Sequence, residues 1–525
     1  MSPWVLLLLL AQVDRRQPAR RVPRTLTAPS ASAAVSPLRV GHITVRNAPL
    51  FDANEANGGF YRMANALAVR TRERLIRRFL LIREGEPYDE ARLRESERNL
   101  RALDFLKSVS IKPAAPHDGV VDVLVETQDE WTTDVNVDYS NDGRLSVYEF
   151  DVDQKDLFGT GAEADVRFGK GRERSTRSIE LLHPALFGAY WNGDAFYARN
   201  SDGNEERLAI ERPLFSYTQR YTGVVSFDHL LRNSRIYANG EVASLFRQEH
   251  REATIAYGPI VAATHNSTTR IVVGADVLRD SFTPLSGPAP DNRRFQFIEA
   301  GIDHTASNYL KLDHVDYGMR VEDFNLGAQA SLYAGISAGI YRIRGEASIG
   351  RHLAPTAFVL SRLTATARAG DINRNTIFSS DTRLVVRSGQ TYPRTFVARL
   401  RIDIGSDVDR DVQFFADGPN GLRAYPNFAF AGTKRVVYNV EERVFLGREW
   451  LHVFEPGAAV FVDSGEALNG SLALRAMHTD VGAGLRFSIA RFESAMFRLD
   501  VAYAFNNSPL SKRGIVFSVA TTQAF

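Results

Sequence analysis

The stretch Ala398-Arg399-Leu400-Arg401-Ile402-Asp403-Ile404 decides the fold. Apolar and charged residues strictly alternate, so an extended chain would put all the charges on one face and all the apolar groups on the other. A helix would scatter the same charges around its axis. The pattern recurs on both sides of this stretch. Tyr341, Ile343, Ala347 and Ile349 interleave with Arg342, Arg344, Glu346 and Ser348. Earlier, Tyr148, Phe150 and Val152 interleave with Glu149, Asp151 and Asp153, and Val135, Val137 and Tyr139 with Asp134, Asn136 and Asp138. Near the end, Phe497, Leu499, Val501 and Tyr503 interleave with Arg498 and Asp500. From Thr132 onward the chain reads as strand after strand, with no convincing amphipathic helix.

Alternation alone leaves two architectures open. In a soluble sandwich the apolar face is core and the charged face meets solvent. In an outer-membrane barrel the apolar face meets lipid and the charged face lines a wet lumen. Three features lean toward the barrel. Aromatics sit near strand ends, as an interfacial girdle needs. The charged faces mix both signs, as an ion-paired lumen would. The chain also closes on a strand-like segment ending in an aromatic, with Phe517, Val519 and Phe525 on one face. The segment 130–525 is long enough for about sixteen tilted strands with long loops at one end.

Bulk composition sets outer limits. The 525 residues carry a net charge of +2, which suggests no nucleic-acid partner. Cysteine is absent, which excludes disulfides, thiolate metal sites and a lipoprotein anchor. No apolar run reaches the length of a membrane helix. The 18 Tyr and 32 Phe alongside 38 Gly suit exposed, twisted strands. Residues 1–37 read as a signal peptide and flexible lead-in. An apolar run from Trp4 to Ala11 precedes a basic, Pro-rich segment and then Ala31-Ser32-Ala33-Ala34, although no Lys or Arg precedes the apolar run.

Residues 38–129 form a separate unit. Val40 to Val45 alternates as a strand, and a polar, Gly-containing excursion runs from Asn47 to Phe60. A helix is expected from Thr71, as N-cap, to Leu80, with Leu75, Ile76, Phe79 and Leu80 on one face. Gly85 and Pro87 break it. A second helix runs from about Asp89, with Leu93, Leu100 and Leu103 as its buried stripe. Phe105 to Ile111 and Val120 to Glu126 close the unit as strands. The abundant arginines here fit either a binding face for anionic lipid or acidic peptide or, as the favoured reading, a solvated helix face with i,i+4 Glu–Arg pairs.

This β-α-α-β-β order, with Gly85-Glu86-Pro87-Tyr88 between the helices and Glu95 to Arg101 leading into Phe105-Leu106, resembles a POTRA domain. Further along, Asp156-Leu157-Phe158-Gly159-Thr160-Gly161 is similar to the Asn-x-x-Gly-x-Gly turn of BamA-type barrels. Gly421-Leu422-Arg423-Ala424-Tyr425, Tyr438 to Arg443, Phe461-Val462-Asp463-Ser464-Gly465, Gly484 to Phe487 and Phe497 to Val501 then follow in order. As a series behind a POTRA-like module, they resemble the BamA/TamA and two-partner-transporter superfamily. The resemblance implies that Arg423, on the sixth extracellular loop, folds back into the lumen to pair with Asp463, with Glu441 contributing. Gly421, Leu422, Ala424 and Tyr425 would form the loop motif, and Phe461 and Gly465 the strand motif. The family's Gly is Ala424 here, so a φ above zero would strain the backbone. By the same resemblance Phe517, Val519 and Phe525 would be a barrel assembly signal, with Gln523 interrupting its apolar face. Val121, Val123 and Val125 on the final POTRA strand would offer an edge to an extended client.

The function implied is insertion or translocation of polypeptides at the bacterial outer membrane, with the POTRA domain in the periplasm. Partners would be unfolded outer-membrane or secreted polypeptides, outer-membrane lipid and accessory lipoproteins. The alternative is a passive channel or surface antigen of the same architecture. No chemical step, cofactor or metal is expected. Gly335-Ile336-Ser337-Ala338-Gly339 matches a nucleophile elbow in letters, but it runs into an alternating strand where the elbow needs a helix. The histidines show no ligand spacing.

Overall fold

A computed structural model describes residues 38–51, 59–141, 146–171, 173–188, 190–370, 372, 374–448, 450, 454–471, 477–488 and 496–520. The leader assigned to residues 1–37 lies outside them, as do Gln523 and Phe525.

The N-terminal module holds strands β1 (Arg39–Ala48), β2 (Leu106–Pro113) and β3 (Val120–Asp129), with helices α1 (Gly59–Leu67), α2 (Glu73–Arg78) and α3 (Glu90–Arg101). Its sheet order is β1-β3-β2, with β3 parallel to β1 and antiparallel to β2. Ile43, Ile76, Leu93, Leu100, Val123 and Val125 meet in its core. Asp89 caps α3 by accepting the Ala91 amide at 2.8 Å, which fixes the helix start where the sequence puts it.

Three expectations are corrected. First, β3 is the central strand and Val121, Val123 and Val125 are core residues, so they offer no edge. The edges belong to β1 and β2, because the chain lays β1 down first, crosses over through the helices to β2, and returns as β3 between them. Second, Thr71 is not an N-cap. Arg72 occupies that position without a side-chain cap, and the Thr71 hydroxyl instead donates to Asp156 of the barrel at 3.0 Å. Third, a nine-residue helix, α1, follows the polar excursion, and Ala64 on it packs with Leu50 and Phe51.

Beyond the module, among the described residues, twenty antiparallel strands close into a barrel from Thr133–Asn141 to Gly514–Ala520. Sixteen were expected. The excess arises early, where strands of 9 to 12 residues such as Ala162–Lys170 and Gly203–Arg212 are joined by tight turns, so less chain goes into loops. The alternation sorts as a membrane barrel requires. Ile271, Val273, Ile298, Ile302, Leu332 and Ile343 stand exposed on the outer face, with no water-excluding partner but lipid. Between them, Asp276, Glu299 and Arg342 point inward, and the Arg342 Nε–H donates to Glu299 at 2.7 Å. Ser337 ends a strand, and Ala338 and Gly339 form the next turn with φ of 46° and 83°. It sits in a two-residue hairpin with no elbow.

Among the described residues, Ser518 pairs with Ser140 and Val519 with Tyr139 to close the barrel, and the last strand shares seven pairs with its other neighbour. Phe517 faces outward, 67% exposed.

The module docks on one end of the barrel. Asp156 organises the turn to Gly161, accepting from the Gly161 amide at 2.5 Å as well as from Thr71. Gly159 has φ of 71°, and an added Cβ would lie 2.4 Å from the Arg70 carbonyl oxygen, so the motif's glycine is required both by its own backbone and by the docking. Nearby, the Tyr190 ring stacks on Phe215 and its hydroxyl donates to the carbonyl of Phe79 at 2.7 Å. Glu95 of α3 accepts from the Tyr217 amide and the Ser216 hydroxyl.

Candidate functional site: a buried charge network in the lumen

A long connection at the far end, between strands Arg394–Ser406 and Lys434–Phe445, turns back into the lumen. Five strands follow it, as the resemblance requires, but with twenty strands in the barrel it is the eighth loop at that end rather than the sixth. A short pairing of Phe414–Ala416 with Phe430–Gly432 closes its neck. Leu422, Tyr425, Ala429 and Phe430 pack there against Val437, Phe461 and Ala467 of the wall. This apolar seat explains how a loop rich in backbone polar groups tolerates burial.

Arg423 lies at the centre of the loop. Its Nε donates to Asp463 Oδ2 at 2.7 Å and its second terminal nitrogen to Oδ1 at 3.0 Å, the fork-on-carboxylate geometry. The first terminal nitrogen donates to Glu441 at 2.5 Å. The guanidinium stacks 3.3 Å from the Phe461 ring centroid. Asp463 and Glu441 are fully buried. Ion pairs this dry are costly to break from one side, since the remaining charge has no water to turn to.

The strand pairings explain why these residues meet. Asn439 pairs with Asp463, and Glu441 with Phe461, so the four share one face of adjacent strands. Asn439 donates to Asp463 at 2.7 Å and to the carbonyl of Gly421 at 2.6 Å, fixing both the carboxylate and the loop. Gly421 carries the left-handed conformation, with φ of 105°. Ala424 does not lie in that region, so the expected strain is absent. Its amide instead donates to Asp480 at 3.2 Å. Gly465 lets the strand pack closely, as a Cβ there would meet the Val436 carbonyl oxygen at 2.8 Å.

Sequence reading missed the second half of the network. Arg443 donates to Glu441 at 2.7 Å, and Arg486 donates to Glu441 and, at 2.6 Å, to Asp500. Arg498 also holds Asp500. The signal was present in the spacing: Asn439, Glu441 and Arg443 alternate, as do Arg498 and Asp500, so each set faces one way. Three buried carboxylates, Asp463, Glu441 and Asp500, are thus shared among four arginines. Such a cluster is suited to bracing. Among the described residues no group of His, Asp or Glu has the arrangement of a metal site.

Comparison with known proteins finds a family match in the N-terminal part. Residues 68–140 match the model of the POTRA family, described as surface antigen variable number repeat. Among solved structures the chain is similar to CdiB from Escherichia coli, at 11% identity over 96% of this chain and 94% of that one, TM-score 0.47. It is similar to CdiB from Acinetobacter baumannii at 11% identity, over 93% and 74%, TM-score 0.46. A BamA from Haemophilus ducreyi lacking POTRA domains 1–3 aligns at 12% identity over 92% and 85%, TM-score 0.34. No curated protein matches the sequence.

Proposed function

We propose that this chain, a POTRA domain joined to an outer-membrane barrel, inserts or translocates polypeptides, with its POTRA domain in the periplasm. The observation that carries the reading is the asymmetry of the two seams at which an extended chain could pair. One is in the POTRA sheet. The outer edge of β1 is already occupied: its Val40 amide donates to the Glu86 carbonyl and its carbonyl accepts from Gly85, both at 2.8 Å. The edge of β2 runs from Leu106 to Pro113 and is the place for strand addition. The other seam is the barrel closure, where the first and last strands meet and, among the described residues, Ser518 pairs with Ser140 and Val519 with Tyr139. Opening this seam exposes backbone groups that a client strand can pair with.

On this reading the POTRA domain receives an extended segment on β2 and the barrel seam templates or releases it. The lumen network braces the strands that lead up to the seam, from Lys434–Phe445 to Met496–Ala504 beside the last strand, while the seam moves. No chemical step enters the mechanism. Clients are unfolded outer-membrane or secreted polypeptides, and contact with lipid or accessory lipoproteins belongs to the same proposal.

The test is crosslinking in intact cells from a photoreactive residue at Ser108 on β2, with Val123 in the core as the negative control. Recovery of unfolded outer-membrane or secreted chains from position 108 alone is the expected result. A folded barrel that captures no polypeptide at position 108 would overturn the reading in favour of a passive channel.

A further inference from the structure

A second segment enters the lumen, from the POTRA end. It is the hairpin Tyr309–Leu312 with Glu322–Asn325 and the turn between them. On one side it grips the POTRA domain. Asp323 receives Arg101 of α3 through Nε at 2.7 Å and a terminal nitrogen at 3.1 Å, and Lys311 reaches Glu97 at 2.9 Å. Arg320 donates to the carbonyl of Arg101 at 3.0 Å.

On the other side the turn grips inward-facing residues of the barrel wall. Asp316 accepts from Arg383 at 2.9 Å, Asp313 from Arg387 at 2.8 Å, and His314 meets Glu455 at 3.0 Å. The Thr395 hydroxyl donates to the His314 carbonyl at 2.6 Å. Arg443 donates to the carbonyl of Val315 at 2.6 Å. Arg443 also holds Glu441, and Glu441 holds Arg423. One chain of polar contacts therefore runs from α3, through the hairpin, to the loop that enters from the far end.

His314 has φ of 56°, a region that a bulky side chain adopts only where its surroundings impose it. Those surroundings belong to the barrel, on which Leu312 and Phe324 of the hairpin strands also pack through Phe358, Val385 and Val397, while Lys311 and Asp323 of the same strands are tied to the POTRA domain. A shift of the POTRA domain against the barrel must break one set of ties, and directional charge contacts are lost within a small displacement.

We propose that this hairpin is a gate: seated, it closes the lumen at the POTRA end, and displacement of the POTRA domain withdraws it and releases Arg443 from Val315. The gate acts on whatever crosses the lumen and stands apart from which polypeptide the POTRA domain binds.

The chain has no cysteine, so introduced thiols are unique. The variant Asp316→Cys with Arg383→Cys, joined by a reducible bifunctional thiol reagent, is expected to hold the closed conductance level in planar lipid bilayers. Reductant is expected to restore opening in the same preparation, which serves as its own folding control. A second arm uses the tie to the POTRA domain. Arg101→Asp cuts the tie through which the POTRA domain withdraws the hairpin, so it is expected to lower the frequency of the open level several-fold, and adding Asp323→Arg to return it. A crosslinked barrel that opens as often as the reduced one overturns the gate. An Arg101→Asp protein that gates like the parent overturns the coupling. Neither outcome bears on client capture at Ser108, so this proposal and the polypeptide reading fail separately.

Discussion

Arg443 holds the carbonyl of Val315 at 2.6 Å with one arm of its guanidinium and the carboxylate of Glu441 at 2.7 Å with its Nε. It is fully buried, and its two partners belong to different ends of the barrel: the first to a hairpin from the POTRA side, the second to the wall that anchors the far-end loop. Arg443→Met keeps the volume and removes both contacts. Glu441 retains Arg423 and Arg486, so the loss is expected near the lower end of the range for a broken buried pair, about 3 kcal/mol. Urea unfolding followed by tryptophan fluorescence reads this. Limited proteolysis should show new cleavage in both inward segments. Cleavage in one alone would mean that Arg443 does not link them.

Arg423→Lys tests the fork geometry. A lysine keeps the charge but cannot bridge Asp463 bidentately, reach Glu441 at the same time and stack on Phe461. A loss of about 2 kcal/mol is expected, with Arg423→Ala costing about 3–5 kcal/mol because Asp463 is left buried with Asn439 as its remaining close donor. Heat-modified migration on a gel gives the readout. If the alanine variant melts with the parent, Arg423 braces nothing.

The backbone of the same loop separates two small residues. Gly421 has φ of 105°, and a Cβ there would sit 3.0 Å from Asn439 Oδ1, so Gly421→Ala should cost about 2 kcal/mol through the left-handed region and displacement of Asn439. Ala424→Gly should shift stability by no more than about 1 kcal/mol, because Ala424 is not in that region. Equal effects of the two would contradict this assignment of the loop's turn.

The contrast also shows what the sequence makes legible. Alternation in Ala398–Ile404 and its many echoes was enough for strands with one charged and one apolar face, since a period of two fixes both faces at once; the barrel needed the aromatics at strand ends, the mixed charges and the terminal aromatic as well. The partners Arg423, Asp463 and Glu441 could be identified from a resemblance because each lies in a short recognisable stretch. The strained position could not, because it depends on how the loop meets Asn439. β3 was misplaced for a similar reason: Val121, Val123 and Val125 alternate as an edge strand's residues do, and only the pairing with both β1 and β2 makes them central. The gate hairpin left no trace in the periodicity. Its strands are four residues each, and its seat is set by Arg383, Arg387 and Arg443, which come 67 to 128 residues later.

The docking of the POTRA domain should depend on pH through Glu95. Burial raises this carboxyl above its ordinary range, against the pull of the Tyr217 amide and the Ser216 hydroxyl, and Arg98 lies near while Asp89 opposes it. The docked state therefore holds the proton more tightly than the undocked state. Below the ordinary carboxylate value of about 4.3 both states are protonated and the full benefit is present. As pH rises through that value toward the raised one, the undocked state ionises first and docking weakens; above the raised value the loss is complete. Hydrogen exchange at the Tyr217 amide, measured between pH 4 and pH 8, should show protection falling with pH after correction for the intrinsic exchange rate. Glu95→Gln does not ionise; its oxygen can accept from the Tyr217 amide while its NH2 donates to the Ser216 hydroxyl, so its corrected protection should be flat across the same range. A variant that keeps the parent's slope would place the titrating group elsewhere.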